Sequence, residues 1–287
     1  MSLHRSELEN KANRVKAILF GLGKVGVAFS GGVDSTLLLR LAVDACGSRN
    51  VLALTARSAT LPERELAAAR ETARQLGVEH LEVETGELDD PGFRSNSPDR
   101  CYYCKRHRLH ELRRAAAARG FGQLVEGTNL DDLADYRPGL RASEEAGVRS
   151  PLLEAGLSKA EIRELSHRLT LEGWDRPAAA CLASRLPYGT EITLERLRQV
   201  ERAEEFLADL GFSPVRVRHH GDVARIEVAP AERGRLLERS AEVRAFLEGL
   251  GFRFVALDLA GYRTGSLNRV LVRPAEGPNP GGAGRAS

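Results

Sequence analysis

The 287-residue chain is poor in sulfur and in aromatic rings, with four cysteines, one methionine, one tryptophan and only 5% aromatic residues. Four cysteines in this length are too few for a disulfide scaffold, so closely spaced ones point to metal or redox chemistry in a reducing compartment. No apolar run approaches the roughly 18 residues a membrane span would need. The N-terminus, MSLHRSELENKANRVK, is charged and lacks the apolar core of a signal peptide, so the expected location is the cytoplasm. An excess of one charge is missing as well: 42 Lys and Arg face 40 Asp and Glu, a net +2. That balance gives no global field for nucleic acid, and neither nucleic acid nor a membrane is an expected partner. There is no internal repeat.

What remains is an ordinary globular composition, 42% hydrophobic and 29% charged, long enough for two modest domains. Short apolar runs alternate with helical patterns: helix near 5–20, strand 24–29, helix 35–46, strand 51–56, helix 63–76 and strand 79–84. That order predicts βαβ units, hence an α/β fold whose parallel sheet is covered on both faces. The polar segment TGELDDPGFRSNSPDR breaks the rhythm, CYYCKRHRLHELRRAAAARG reads as helix, and GQLVEG gives a strand at 122–127. Ser158 with Glu161 spells a capping box opening another helix.

Residues 170–190 read as a linker, and beyond it the pattern becomes a small α+β unit: helix 193–210, strands 214–219 and 222–228, helices near 231–248, strand 252–258 and a short strand near 268–272. Gly221-Asp222 is the expected hairpin turn. The expected domains are 1–185, a smaller substrate or oligomerisation domain at 186–273, and a disordered Pro/Gly-rich tail at 274–287.

Between the first strand and its helix lies FSGGVDST, with Ser30, Gly31, Gly32, Asp34, Ser35 and Thr36. Glycines there let backbone amides approach an anion while the helix N-terminus presents its positive end. An ordinary βα turn capped by Asp34 or Ser35 is the plain alternative. The loop is no Walker A motif, since no lysine follows the glycines.

SGGVDS resembles the pyrophosphate-binding PP-loop of the adenylating ATP pyrophosphatases, whose fold is the adenine nucleotide alpha hydrolase-like one. The resemblance implies that Ser30, Gly31, Gly32, Asp34 and Ser35 hold the β,γ-pyrophosphate of ATP, with Asp34 facing magnesium. The later segment EGTNLDDLADYRPG is similar to a second nucleotide segment of that superfamily, which gives the same role to Gly127, Thr128, Asn129 and Asp132. Arg57, ending the second strand on the ligand side of such sheets, is a candidate for the adenine neighbourhood.

Cys181 lies in PAAACLASRLPYGT, beside Arg185, where a cation can lower a thiol pKa toward the reactive thiolate. The chain from the PP-loop through DRCYYCK, GTNLDDLADYRPG, ACLASR and VRVR, about residues 10–272, resembles the LarE-type ATP-dependent sulfur transferases of nickel-pincer nucleotide cofactor biosynthesis. The resemblance implies adenylation of a carboxylate of pyridinium-3,5-biscarboxylic acid mononucleotide and its conversion to a thiocarboxylate. Sulfur would come either from Cys181, sacrificed to dehydroalanine, or by way of a [4Fe-4S] cluster on Cys101, Cys104 and Cys181. Three thiolates leave one iron open to an extra sulfide.

Cys101, Cys104, His107 and His110 also admit a structural zinc, and Cys101 and Cys104 equally a reduced, metal-free pair, while the stretch KRHRLH also reads as a solvated helix face. Arg216 and Arg218, two apart on a strand, share one face and by resemblance hold the substrate phosphate together with Arg185. Glu227 is expected to orient these arginines or to bind a surface metal, His219 and His220 to sit in a turn, Trp174 to anchor packing, and Cys46 to lie in the core. The expected assembly is a homo-oligomer. The alternatives are a tRNA thiouridylase, an ammonia-using amide synthetase and a non-catalytic nucleotide sensor.

Overall fold

Runs such as VGVA and VLALTAR carry no charge until their last residue, so as strands they tolerate burial on both faces, which a parallel sheet demands. The computed structural model describes residues 2–134, 138–176 and 180–263. The strand expected near 268–272 and the tail lie outside the described residues. Contacts within the chain divide it into two units, Met1–Ala183 with Tyr188–Leu197, and Ser184–Pro187 with Arg198–Ser287.

The first unit runs α1 (Ser2–Leu22), β1 (Val25–Ala28), α2 (Val33–Cys46), β2 (Val51–Arg57), α3 (Glu63–Gln75), β3 (Glu79–Glu84), α4 (Pro91–Arg94), α5 (Arg100–Ala118), β4 (Gln123–Glu126), α6 (Gly139–Glu145), α7 (Pro151–Glu154) and α8 (Lys159–Arg168). The four strands form one parallel sheet in the order β3-β2-β1-β4. Alternation along β2 sends Val51 and Ala53 into a core with α1, α2, α3 and α8, and Leu52, Leu54 and Ala56 into a second core with α5. Helix α1 supplies the stripe Leu8, Ala12, Val15 and Leu19, spaced four, three and four residues apart. Each buried Leu or Val among these contributes roughly 1.5–3 kcal/mol, so the strand ends are held by packing on both faces.

Parallel strands finish at one edge, and the loops leaving β1, β2, β3 and β4 therefore share a rim. The strand order reverses between β1 and β4, which is where open α/β sheets form a ligand crevice.

The second unit includes α9 (Leu194–Asp209) from Arg198 onward, then β5 (Val215–His220), β6 (Val223–Val228), α10 (Arg233–Glu238), α11 (Ser240–Gly249) and β7 (Phe254–Leu257). Strands β5 and β6 are antiparallel, and β7 joins β6 in parallel. Gly221, at φ 64°, makes the expected turn with Asp222, in the type II′ pattern that needs glycine first. The α/β class and the smaller α+β unit are as expected. Among the described residues no helix is long and apolar enough to cross a membrane.

Candidate active site

The loop after β1 is shaped by its glycines. Gly31 adopts φ 73°, and a Cβ there would also lie 3.2 Å from Ala69 Cβ on α3. Gly32 stands at the N-cap of α2, where its carbonyl accepts from Thr36 N at 2.9 Å and Ser35 Oγ at 3.0 Å. Ser35 Oγ also accepts from Ser30 N at 3.3 Å, and Ser30 Oγ accepts from Gly32 N at 3.4 Å. These side-chain bonds fix the loop's curvature, and the first-turn amides of α2 emerge at the rim with its positive dipole end.

Across the strand reversal, Gly127 sits against this loop. A Cβ on it would meet Ser35 N at 3.0 Å and the Asp34 carbonyl carbon at 3.1 Å, both backbone atoms that cannot swing aside. Gly127→Ala is therefore expected to cost about 1–3 kcal/mol through overpacking. The denaturant midpoint measures this, and an unshifted midpoint would show that the two loops are not packed as described.

The rest of the Gly-Thr-Asn segment is held by its own caps. Asp132 Oδ2 accepts from Asn129 N at 3.0 Å, Asn129 Oδ1 accepts from Asp131 N at 3.0 Å, and Thr128 Oγ1 donates to buried Glu126 at 2.8 Å. Glu126 also receives Lys105 Nζ at 2.9 Å, joining β4 to the cysteine-bearing helix α5. Asn129 and Asp132 thus order the loop, whereas Asp131 does something the sequence reading missed: it accepts from the backbone N of Lys159.

Lys159 is the second omission. Its Nζ lies 2.7 and 2.6 Å from the two carboxylate oxygens of Asp34. The lysine opens α8, and the expected capping box is present, with Ser158 accepting from Glu161 N and Glu161 accepting from Ser158 N. Lys11 of α1 in turn bonds Glu161 at 2.7 Å and the Gly156 carbonyl at 2.8 Å. The carboxylate expected to face magnesium is thus partnered by an anchored ammonium, and the two remain 26% and 31% exposed.

A partly exposed carboxylate at the loop suits a magnesium ion, which takes one or two protein carboxylates and completes its shell with phosphates and water. Arg57 ends β2 at the rim, about half exposed and 3.2 Å from Glu84.

The cysteine loop is tied to the same rim. Leu182 N donates to the Thr60 carbonyl at 2.9 Å, so Cys181 hangs beside the loop that leaves β2. Downstream, Gly189 N donates to the Asn96 carbonyl at 3.0 Å, Asn96 Nδ2 to the Thr190 carbonyl at 2.9 Å, and Ile192 N to the Arg94 carbonyl at 2.9 Å. Buried Arg100 bonds Asn96 and lies 4.9 Å over the Tyr188 ring. These contacts bring Cys181 to the start of α5, where Cys101 and Cys104 share a face at i, i+3. Burial pushes the Cys104 thiol up to about 12, and the charges of Cys181 and Cys101 add to the rise while Arg108 opposes it.

Among the described residues no three His, Cys, Asp or Glu side chains are grouped tightly enough to grip a single metal ion. A [4Fe-4S] cube spreads its thiolates over different irons and ordinarily takes four of them; α5 and the cysteine loop together offer three. The KRHRLH stretch is more than a solvated face. His107 Nε2 accepts from Gly86 N at 3.2 Å, and Arg108 lies 3.9 Å from buried Glu87, while His110 is exposed.

In the second unit the arginines expected on phosphate have protein partners. Arg218 is buried and bidentate to Glu227, at 3.0 and 2.7 Å, and donates to the Ser184 carbonyl at 2.9 Å. Arg185 is likewise bidentate to Glu204, at 2.9 and 2.8 Å, a carboxylate the sequence reading missed. Glu227, 1% exposed, therefore orients Arg218 and is too deep for a surface metal.

Arg216 differs. Its guanidinium is 5.3 Å from the Tyr262 ring, and burial followed by the charge of Arg185 pulls its pKa below the ordinary value. A cation crowded by cations gains most from an added anion.

His219 and His220 correct the sequence reading: β5 continues through both, because Gly221 and Asp222 alone make the turn. His219 is buried with Nε2 3.0 Å from Gln199. Trp174 packs on His167 at 4.4 Å yet stays 38% exposed, and Cys46 Sγ is partly buried and donates to the Leu19 carbonyl.

Comparison with known proteins adds the following. The sequence model of the NAD synthase family matches residues 10–119. The chain is 41% identical to the pyridinium-3,5-bisthiocarboxylic acid mononucleotide synthase of Lactiplantibacillus plantarum, over 93% of this chain and 96% of that one. An uncharacterized protein of Synechocystis is 42% identical, over 93% of this chain and 100% of its own, and one of Methanocaldococcus jannaschii is 30% identical over 84% and 91%.

Proposed function

Because the chain belongs to the pyridinium-3,5-bisthiocarboxylic acid mononucleotide synthase family, a sulfur-transferring branch of the PP-loop enzymes, we propose that it converts the carboxylates of pyridinium-3,5-biscarboxylic acid mononucleotide to thiocarboxylates at the expense of ATP. The observation that carries this reading is the meeting, at one rim of one unit, of a PP-loop, a lysine-carboxylate pair and three cysteines from two separate segments.

In the first step a substrate carboxylate oxygen attacks the α-phosphorus of ATP, pyrophosphate leaves, and an acyl adenylate forms. Negative charge builds on the departing pyrophosphate, where the amides of Gly31 to Ser35 and the ammonium of Lys159 stabilise it. Asp34 is the residue that would hold magnesium, whose role is to neutralise phosphate charge. Lys159 Nζ, held beside Asp34 at the loop, is the ammonium placed to reach phosphates bound there.

In the second step sulfur replaces AMP on the acyl carbon. Cys101, Cys104 and Cys181 are the residues that would hold a [4Fe-4S] cluster, and a cluster held by three thiolates would supply a sulfide without consuming the protein. The nearness of Cys101 and Cys104 to Cys181 favours this over sacrifice of Cys181, because sacrifice requires one thiol only. Arg57 faces the adenine. Arg216 takes the substrate phosphate, flanked by Arg185 and Arg218, which their carboxylates hold in place. We assign the protein to the cytoplasm and to a homo-oligomeric state, in keeping with a small-molecule substrate.

Adenylation is tested by exchange of labelled pyrophosphate into ATP. Exchange is expected only when the pyridinium diacid is present, and no exchange with it would overturn the reading. Arg216→Ala is expected to raise KM for that substrate by roughly tenfold, about the 1.4 kcal/mol of one charge-assisted hydrogen bond, with a smaller change in kcat. An unchanged KM would remove Arg216 from the site.

A further inference from the structure

Beneath the three cysteines lies a charge pair that the steps above do not use. Cys101, Cys104 and Arg108 are spaced i, i+3, i+7 along α5 and so share one face. Glu87, 2% exposed in the turn after β3, presents Oε1 at 3.9 Å from both Cys104 Sγ and Arg108 Nε. Its other oxygen accepts from Thr85 Oγ1 at 2.9 Å, which fixes the carboxylate. Arg108 also hydrogen-bonds Cys104 and feels the charge of Cys181.

The other Lys and Arg side chains of α5 point elsewhere: Arg100 to Asn96, Lys105 to Glu126, Arg106 to Asp90 at 3.1 Å, Arg113 to the Ala146 carbonyl and Arg114 to Glu111. His107 Nε2 accepts a hydrogen bond from Gly86 N at 3.2 Å and is thereby engaged away from the thiols.

Ligation and nucleophilic attack both require cysteines as thiolates. Three thiolates and one carboxylate then face one guanidinium in a half-buried setting, where like charges repel strongly. We propose that Arg108, tethered by Glu87, is the positioning residue that offsets the negative charge of the Cys101, Cys104 and Cys181 group and so holds it in its sulfur-bearing form. The inference rests on the sulfur-transfer reading of these cysteines. A buried Glu87 is what keeps the guanidinium from drifting to solvent, and a lysine there would keep the charge.

Wild type, Arg108→Lys, Arg108→Met and the double variant Glu87→Gln/Arg108→Met are loaded anaerobically with iron and sulfide. The double variant removes both charges and so avoids a stranded carboxylate if Arg108→Met does not fold. Iron retained under chelator challenge, the reduction potential of the loaded protein, pyrophosphate exchange and sulfur transfer are measured.

Both charge-removing proteins are expected to lose iron affinity about 10- to 100-fold, the usual cost of removing a group that supports a metal's ligands. The potential should fall in Arg108→Met, because a positive charge near the sulfurs favours the reduced form, and should shift less in the double variant, which gives up the neighbouring carboxylate too. Arg108→Lys should follow wild type in both. Wild-type iron retention in the double variant, a wild-type potential in folded Arg108→Met, or equal losses in Arg108→Lys, would overturn the proposal.

A wild type that exchanges pyrophosphate but holds no iron would sink the cluster alone. Arg108 is then judged on sulfur transfer, expected to fall about tenfold more than exchange in the charge-removing variants, and equal falls would overturn it. A wild type that binds iron without exchange would sink the adenylation reading, while iron retention still decides Arg108. A wild type with neither would overturn both together.

Discussion

Lys159→Ala is expected to slow pyrophosphate release by about 10²–10³-fold, the loss seen when one preorganised donor to developing negative charge is removed. The lysine gives both its charge and its geometry to one place. Its Nζ is within 2.7 Å of both Asp34 oxygens, its backbone N is held by Asp131, and the Ser158–Glu161 capping box with Lys11 locks the first turn of α8. Stability should change little. The pair is about a third exposed, and such ion pairs contribute about 0–1 kcal/mol.

A large loss of rate with a nearly unchanged melting temperature separates a role in the reaction from one in folding. Single-turnover pyrophosphate release is the measurement, with Asp34→Asn beside it. That variant keeps the size of the side chain, loses the site for a cation, and is expected to fall by a similar factor. Lys159→Ala proteins within about threefold of wild type would leave the lysine as a structural partner of Asp34, since one donor is worth far more than that.

Replacing Cys181 with serine should abolish thiocarboxylate formation, by at least about 10³-fold, because a hydroxyl neither ligates iron as a thiolate does nor matches its nucleophilicity. Pyrophosphate exchange should persist, since Leu182 N remains bonded to the Thr60 carbonyl and the PP-loop lies on a different strand end. The companion variants Cys101→Ser and Cys104→Ser discriminate the sulfur source. A cluster predicts loss of iron and of sulfur transfer in all three. Sacrifice predicts that only Cys181→Ser is silent, and that wild type after turnover is lighter by one H2S. Retained sulfur transfer in Cys181→Ser would end both accounts.

The two losses fall on different steps for a reason visible in the sheet. The four parallel strands deliver four loops to one rim: the loops proposed for adenylation leave β1 and β4, where the strand order reverses, and the cysteines attach at β2 and β3. The Glu126–Lys105 pair, at 2.9 Å, links the two sets.

Much of this was legible before any coordinates. The PP-loop is local: its glycines, hydroxyls and carboxylate are adjacent in sequence, and the turn they specify follows from backbone sterics. The same holds for the capping box at Ser158 and the turn at Gly221. Lys159 had a signal too, since it follows the N-cap serine, but nothing in sequence brings it to Asp34, 125 residues away. The roles of Glu87, Arg108 and Glu204 had no local signature, because acidic and basic residues on a helix or turn ordinarily face water. The same limit applied to His219 and His220, whose polarity suggested a turn although Gln199 accommodates His219 inside.

By itself the sequence determined the βαβ order, the phosphate loop and the cysteine inventory, all of them set by periodicity, glycine geometry and residue chemistry over a few positions. Tertiary structure alone decided which charges meet: Lys159 with Asp34, Glu204 with Arg185, Glu227 with Arg218, and Arg108 with Glu87 under the thiols. Burial and partner together fix what an ionisable group does, and both arise only when segments far apart in the chain are packed against one another.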